Sequence, residues 1–190
     1  MMTKLIVGLG NPGLEYRNTR HNIAWETFDN LSFVSDLRWQ DKYKGEMATL
    51  EVEGEKVIFL KPLTYMNLSG ESVAPLANFF KIPVEDILVV HDELDLNFGT
   101  IAYKDGGGLA GHNGLKSIAQ CLGKQNFKRL RVGIGRPVHG SVSNWVLSGY
   151  HGEDAEFLES YLKGAAKAVE AFIEKGFQSA ARTYSKKKII

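Results

Sequence analysis

Five polar residues stand just past short apolar runs. Asn11 and His21 lie in GLGNPGLEYRNTRHN, directly after LIV; Asn67 follows KVIFLKPLTYM, Asp92 follows DILVVH, and Asn113 follows GGGLAGH. In α/β folds, sites form beyond the carboxyl ends of strands, so these side chains could converge on one edge of a sheet. A histidine with an available aspartate can activate water, the carboxylate orienting the imidazole and stabilising the imidazolium. Amide side chains around such a pair can bind peptide groups or donate to a developing oxyanion. The natural chemistry is hydrolysis without a covalent intermediate. Each residue also has a structural reading. Asn67 and Asn113 suit helix caps, Asp92 suits the start of a turn in HDELD, and a lone histidine is more often structural than catalytic.

Other chemistries find less support. Gly8, Gly10 and Gly13 satisfy the G-x-G-x-x-G spacing that cradles a dinucleotide pyrophosphate between a strand and a helix. Here Gly13 runs into LEYRNTR, the next strand-like run begins only near Glu46, and the acidic ribose partner is missing. Pro12 fixes the loop and removes an amide donor that a phosphate could have used. No G-x-S-x-G elbow occurs. Cys121, the single cysteine, lies between Ala119 and Leu122 and reads as core; it permits no intramolecular disulfide and no cysteine-based zinc site. No paired histidine or carboxylate spacing suggests a metal, and HDELD alone is weak for Mg²⁺.

The elements that must position these residues alternate. KLIVG and DILVVH read as buried strands, and EMATLEV and KVIFL as a hairpin around EGE. Helical spacing joins Ala24, Phe28 and Leu31; Val73, Leu76, Ala77 and Phe80; and Leu115, Ile118, Ala119 and Leu122. The longest amphipathic helix follows Glu153 and Asp154, with Leu158, Tyr161, Leu162, Ala165, Val169, Phe172 and Ile173 on one face, and stops near Gly176. Pro75 requires its helix to start late or to kink. Together they predict an α/β fold: one domain over residues 1–190, with a twisted, mixed, mostly parallel central sheet and helices on both faces. The terminal SKKKII, 185–190, is expected to fray.

Composition sets the bounds. The 190 residues are 44% hydrophobic, which fits one domain with a full core. The short apolar run at the N-terminus is no export signal and no membrane-spanning run occurs, so a cytoplasmic protein is expected. The formal net charge is only +1. Yet between Asp105 and Glu153 there is no acid, where an even spread would place about five, and the window holds Lys116, Lys124, Lys128, Arg129, Arg131 and Arg136. Such a segment can build a positive face for a phosphate backbone; the alternative is a solvated surface that lacks carboxylates.

The motifs KLIVGLGNPGLEYRNTRHN, FLKPLTYMNLSGESV, ILVVHDELDLNFG, GGGLAGHNGLKSI and FKRLRVGIGRP, in that order, resemble those of the bacterial-type peptidyl-tRNA hydrolases. The resemblance covers the chain to about residue 150, and the long C-terminal helix has its counterpart. It implies an ester hydrolase that frees tRNA from peptidyl-tRNA. No cofactor, metal or membrane is expected, and a large substrate that needs one open sheet edge suits a monomer. The resemblance implies His21 as proton acceptor, Asp92 as the group holding it basic, and Asn11 as the residue that tells a blocked peptidyl group from a free aminoacyl group. Asn67 and Asn113 would bind around the ester, Tyr16, Tyr65 and Met66 would shape the pocket, and Lys104 and Arg131 would clamp the tRNA 5′ phosphate. The lid would come from GGGLAG and the helix it opens. Ala24 and Leu109 depart from the family pattern at packing or lid positions. Two rivals stay open: an RNA-binding module using the same face without turnover, and a nucleotide-binding oxidoreductase built on the Gly8 loop.

Overall fold

The computed structural model describes residues 2–190. Eight strands form one sheet in the order β2-β3-β4-β1-β5-β7-β6-β8: β1 (Thr3–Gly8), β2 (Gln40–Lys42), β3 (Gly45–Val52), β4 (Glu55–Pro62), β5 (Ile87–Glu93), β6 (Thr100–Asp105), β7 (Lys128–Gly133) and β8 (Lys187–Lys188). Parallel pairing is confined to the four central strands, β4-β1-β5-β7. Both flanks are antiparallel: the β3-β4 hairpin with β2 beyond it, and β6 with β8. The sheet is thus mixed; in its parallel part β1, β4 and β5 are the apolar runs, and β7 adds Leu130 and Val132 between Lys128, Arg129 and Arg131.

Alternation within those runs feeds two cores. Ile6, Phe59, Leu88, Val90, Leu130 and Val132 face α1 (Ile23–Phe28), α5 (Gly152–Lys175) and α6 (Phe177–Thr183). Leu5, Val7, Ile58, Leu60, Ile87 and Val89 face α2 (Gly70–Phe79) and α3 (Asn113–Leu122). One further short helix, α4 (Val142–Val146), precedes α5. The helix α5 buries Tyr161, Leu162, Ala165, Val169, Phe172 and Ile173 as its periodicity predicts, and Gly176 ends it.

One expectation narrows and one changes. Of the two readings of Pro75 the late start fails: the proline lies inside α2, which starts at Gly70. It starts there because α2 and α3 cross closely: the Gly70 amide donates to Ser117 Oγ at 2.8 Å, and a Cβ on Gly70 would collide with the Ser117 carbonyl. The C-terminal tail is not frayed. Lys187 and Lys188 pair with β6, the Ile189 amide donates to the Gly99 carbonyl at 2.8 Å, and the Ile189 side chain reaches Gly164 of α5. Two terminal isoleucines give the segment apolar area to bury, which outweighs the solvation of the lysines before them.

The glycine pattern is explained by packing. A Cβ on Gly8 would meet the Phe28 ring and one on Gly10 the Trp25 ring, both within 2.7 Å. The glycines let α1 lean on the end of β1, and Trp25 Nε1 donates to the Gly8 carbonyl at 2.7 Å.

Candidate active site

Because β4, β1, β5 and β7 run parallel, their carboxyl ends share one edge, and the segments that leave them meet there. Asn11 follows β1, Tyr65, Met66 and Asn67 follow β4, and Asp92 is the last residue but one of β5. His21 arrives in the 3-10 turn Arg20–Asn22 before α1, and Asn113 is the first residue of α3. A cavity of about 420 Å³ is lined by Asn11, His21, Tyr65, Met66, Asn67, Asp92 and Asn113. Tyr16 does not line it but stands edge-on to Tyr65, ring centroids 6.5 Å apart. Lys104 and Arg131 lie outside the cavity on β6 and β7. Register places them on the α3 side of the sheet, where those two strands extend beyond the helices.

Asp92 is at the centre. It is 4% exposed, and its carboxylate accepts from His21 Nδ1 at 2.7 Å and from His112 Nε2 at 2.8 Å. Burial would raise its pKa, but the charge and hydrogen bonds of the two imidazoles outweigh this and hold it far below the usual carboxylate range. The backbone fixes the state of His112. Its Nδ1 caps α3, accepting from the Gly114 and Leu115 amides at 3.1 and 3.4 Å, so its proton must be on Nε2. Both nitrogens of His112 are therefore committed, whereas His21 Nε2 has no partner among the described residues. Burial pushes the His21 pKa down, and the attraction and hydrogen bond of Asp92 more than reverse it, leaving it above 6.5.

The turn is stapled in place. Arg20, 2% exposed, stacks its guanidinium on Trp145, 3.4 Å from the ring centroid, and its Nη1 donates to the Trp145 carbonyl. Its backbone amide donates to the Ser148 carbonyl. Asn11 is held as firmly by Asn22, whose Oδ1 accepts the Asn11 amide at 2.8 Å and whose Nδ2 donates to the Asn11 carbonyl at 2.9 Å. Asn11 Oδ1 accepts the Met66 amide at 2.7 Å. What Asn11 presents to the cavity is its Nδ2 donor.

The helix-cap readings of Asn67 and Asn113 fall away. Asn113 is not the cap of α3, because His112 is, and neither turn beside Asn67 has a side-chain cap. Asp92 lies within β5. Sequence reasoning passed over His112, Asn22 and Arg20, although two of them flank His21 and His112 precedes Asn113. It also saw no metal set, yet one ligand atom each from His21, Asp92 and His112 lies within 4.8 Å of the others. The sequence hides this because Asp92 stands 71 residues from His21 and 20 from His112. The two imidazole nitrogens nearest the carboxylate already donate to it, so a metal there would replace those hydrogen bonds.

Of the cations in the acid-free window, Lys128 pairs with Asp105 and Arg136 with Asp95, each at 2.7 Å. Lys116 and Lys124 are exposed and Arg129 is buried. Among the described residues no helix is long and apolar enough to cross a membrane.

The family model of peptidyl-tRNA hydrolase matches residues 5–190. A peptidyl-tRNA hydrolase of Geotalea daltonii is 46% identical over the whole of both chains. One of Listeria monocytogenes is 42% identical over 97% of this chain and all of its own. The crystal structure of peptidyl-tRNA hydrolase from Acinetobacter baumannii superposes with a TM-score of 0.90 at 37% identity, covering 100% of this chain and 99% of that one.

Proposed function

We infer the reaction from one premise: this chain belongs to the peptidyl-tRNA hydrolase family, and so is an ester hydrolase acting on peptidyl-tRNA. The scissile bond is the ester joining the peptide to the terminal ribose. His21 is the general base, taking a proton from water at Nε2 while Nδ1–H stays on Asp92. The observation that carries this is the bridged carboxylate: Asp92 engages two histidines, and only His21 keeps a free nitrogen. As the imidazolium forms, the buried carboxylate stabilises it. Asn67 and Asn113, at the cavity wall without side-chain hydrogen bonds among the described residues, can donate to the ester oxygens as charge develops.

Asn11 gives a physical basis for choosing blocked substrates. With Oδ1 taken by Met66, its Nδ2–H₂ can only donate. The carbonyl of a peptidyl group accepts that hydrogen bond; the ammonium of a free aminoacyl group has no acceptor and leaves a buried donor unpaired. Lys104 and Arg131 meet the tRNA through phosphate, a contact that ignores sequence, as an enzyme serving all tRNAs requires. The protein works without a cofactor in the cytoplasm, as a monomer of one domain with the lid 106–111.

The test is release of N-acetyl-aminoacyl groups from tRNA by the wild type and by His21→Ala, beside unblocked aminoacyl-tRNA. Cleavage of the blocked ester alone, lost by about 10²-fold or more in the variant, is expected. A folded wild type that binds tRNA without cleaving it overturns the reading.

A further inference from the structure

Arg129 is a buried cation with too few partners. It lies on β7, is 2% exposed, and lines the same cavity as His21 and Asp92. Its one hydrogen bond runs from Nη2 to the Gly106 carbonyl at 2.9 Å, at the base of the glycine-rich loop, and its Nε has none. No carboxylate lies within 4 Å of it among the described residues, and Glu93 attracts it only from farther away. Burying a charge costs several kcal/mol unless an ion or strong hydrogen bonds compensate. The carbonyl of Gly106 supplies one such bond, which leaves much of that cost unmet.

On the same face of the sheet, on β5 diagonal to Arg129 and opposite Arg131, is His91, 1% exposed. Its Nδ1 can only donate to the Asp92 carbonyl, at 2.8 Å, so Nε2 is a bare acceptor, and this atom too has no partner. Burial first, and then His112 and Arg129, hold its pKa down at about 3, so it stays neutral. His91 stands edge-on to His112, ring centroids 5.1 Å apart, which ties this end of the cavity to Asp92. An unmet cationic donor and an unmet neutral acceptor thus lie on one face of the sheet and line the same pocket as His21 and Asp92.

We propose that Arg129 binds the phosphodiester on the 5′ side of the terminal adenosine of tRNA, with His91 Nε2 accepting from a ribose hydroxyl. This rests on the hydrolase reading above. It follows from the substrate's own chemistry: that phosphodiester is one ribose away from the scissile ester, so an ester at His21 carries an anion and a hydroxyl into the same pocket. Lys104, which lies opposite Arg129 across the β6–β7 pair, and Arg131 stand outside the cavity itself. Arg129 is a substrate-binding residue that fixes the ester in front of His21.

Adenosine and adenosine 5′-methylphosphate, a monoanionic diester, are titrated as competitors of N-acetyl-aminoacyl-tRNA cleavage, and their direct binding is measured by calorimetry. With the wild type the diester should compete about tenfold better, the size expected of a charge-assisted hydrogen bond. That ratio should fall to about one in Arg129→Gln and to an intermediate value in Arg129→Lys, which keeps the charge and favours folding should the glutamine variant not fold. Equal competition by the two compounds in the wild type overturns the proposal. So does a ratio that survives Arg129→Gln, or one abolished by Lys104→Ala instead. A protein that cleaves no tRNA ester yet binds the diester through Arg129 would fail the hydrolase reading and keep this one.

Discussion

At the scale of the residue, the carboxylate of Asp92 decides what each histidine can do. Two helix-terminal amides commit His112 to one tautomer, so of the two histidines on Asp92 only His21 has a lone pair to offer. As the proposed base, His21 must be neutral to act, and its pKa is raised, so kcat/KM should fall as pH drops through a midpoint above 6.5. In Asp92→Asn the attraction that raises it is gone and burial remains, so the midpoint should move below 6.5 while the rate falls about 10²- to 10⁴-fold. A pH–rate profile of both proteins checks this, and an unmoved midpoint would contradict it. The stability linkage has the opposite sense. The His21–Asp92 contribution is complete below the unfolded value of His21 and is lost as pH rises through the higher folded value.

At the scale of the element, β1, β4 and β5 were readable because a buried parallel strand is a short apolar run, and α5 because its stripe keeps helical period over 24 residues; β7, parallel too, was not, because Lys128, Arg129 and Arg131 interrupt its run. The edge strands were not. β2 is three exposed polar residues and β8 two lysines, and such segments pair only because a neighbour offers a free ladder. In the site, Asn11, His21 and Asp92 stood out as polar residues past apolar runs, whereas Asn22 and Arg20 did not. Their importance lies in what they touch, Asn11 and Trp145, and in Arg20 that contact spans 125 residues. Close crossings leave a trace only as a glycine. At Gly70 the consequence is measurable: Gly70→Ala drives a Cβ into backbone of α3, and should destabilise by about 1–3 kcal/mol in urea unfolding. Because α3 carries His112 and Asn113, activity should fall in the same variant.

At the scale of the molecule, a net charge of +1 conceals a division of labour. Asp105 and Asp95, outside the acid-free window, neutralise two of its cations, while Lys116 on α3 and Lys124 just after it stay exposed. The C-terminal segment closes the other side of β6. Deleting residues 187–190 removes two half-buried isoleucines, worth together about 2 kcal/mol, so Tm in a thermal scan should fall by roughly 4–8 °C. That segment does something else for the protein. Lys187 and Lys188 occupy the hydrogen-bonding side of β6, so this border of the sheet ends in a two-residue strand bearing charge. A truncated chain would present a row of unmet amides and carbonyls to any other chain in solution. The last four residues therefore act as a guard against edge-to-edge self-association, and keep the sheet from being extended by a second copy.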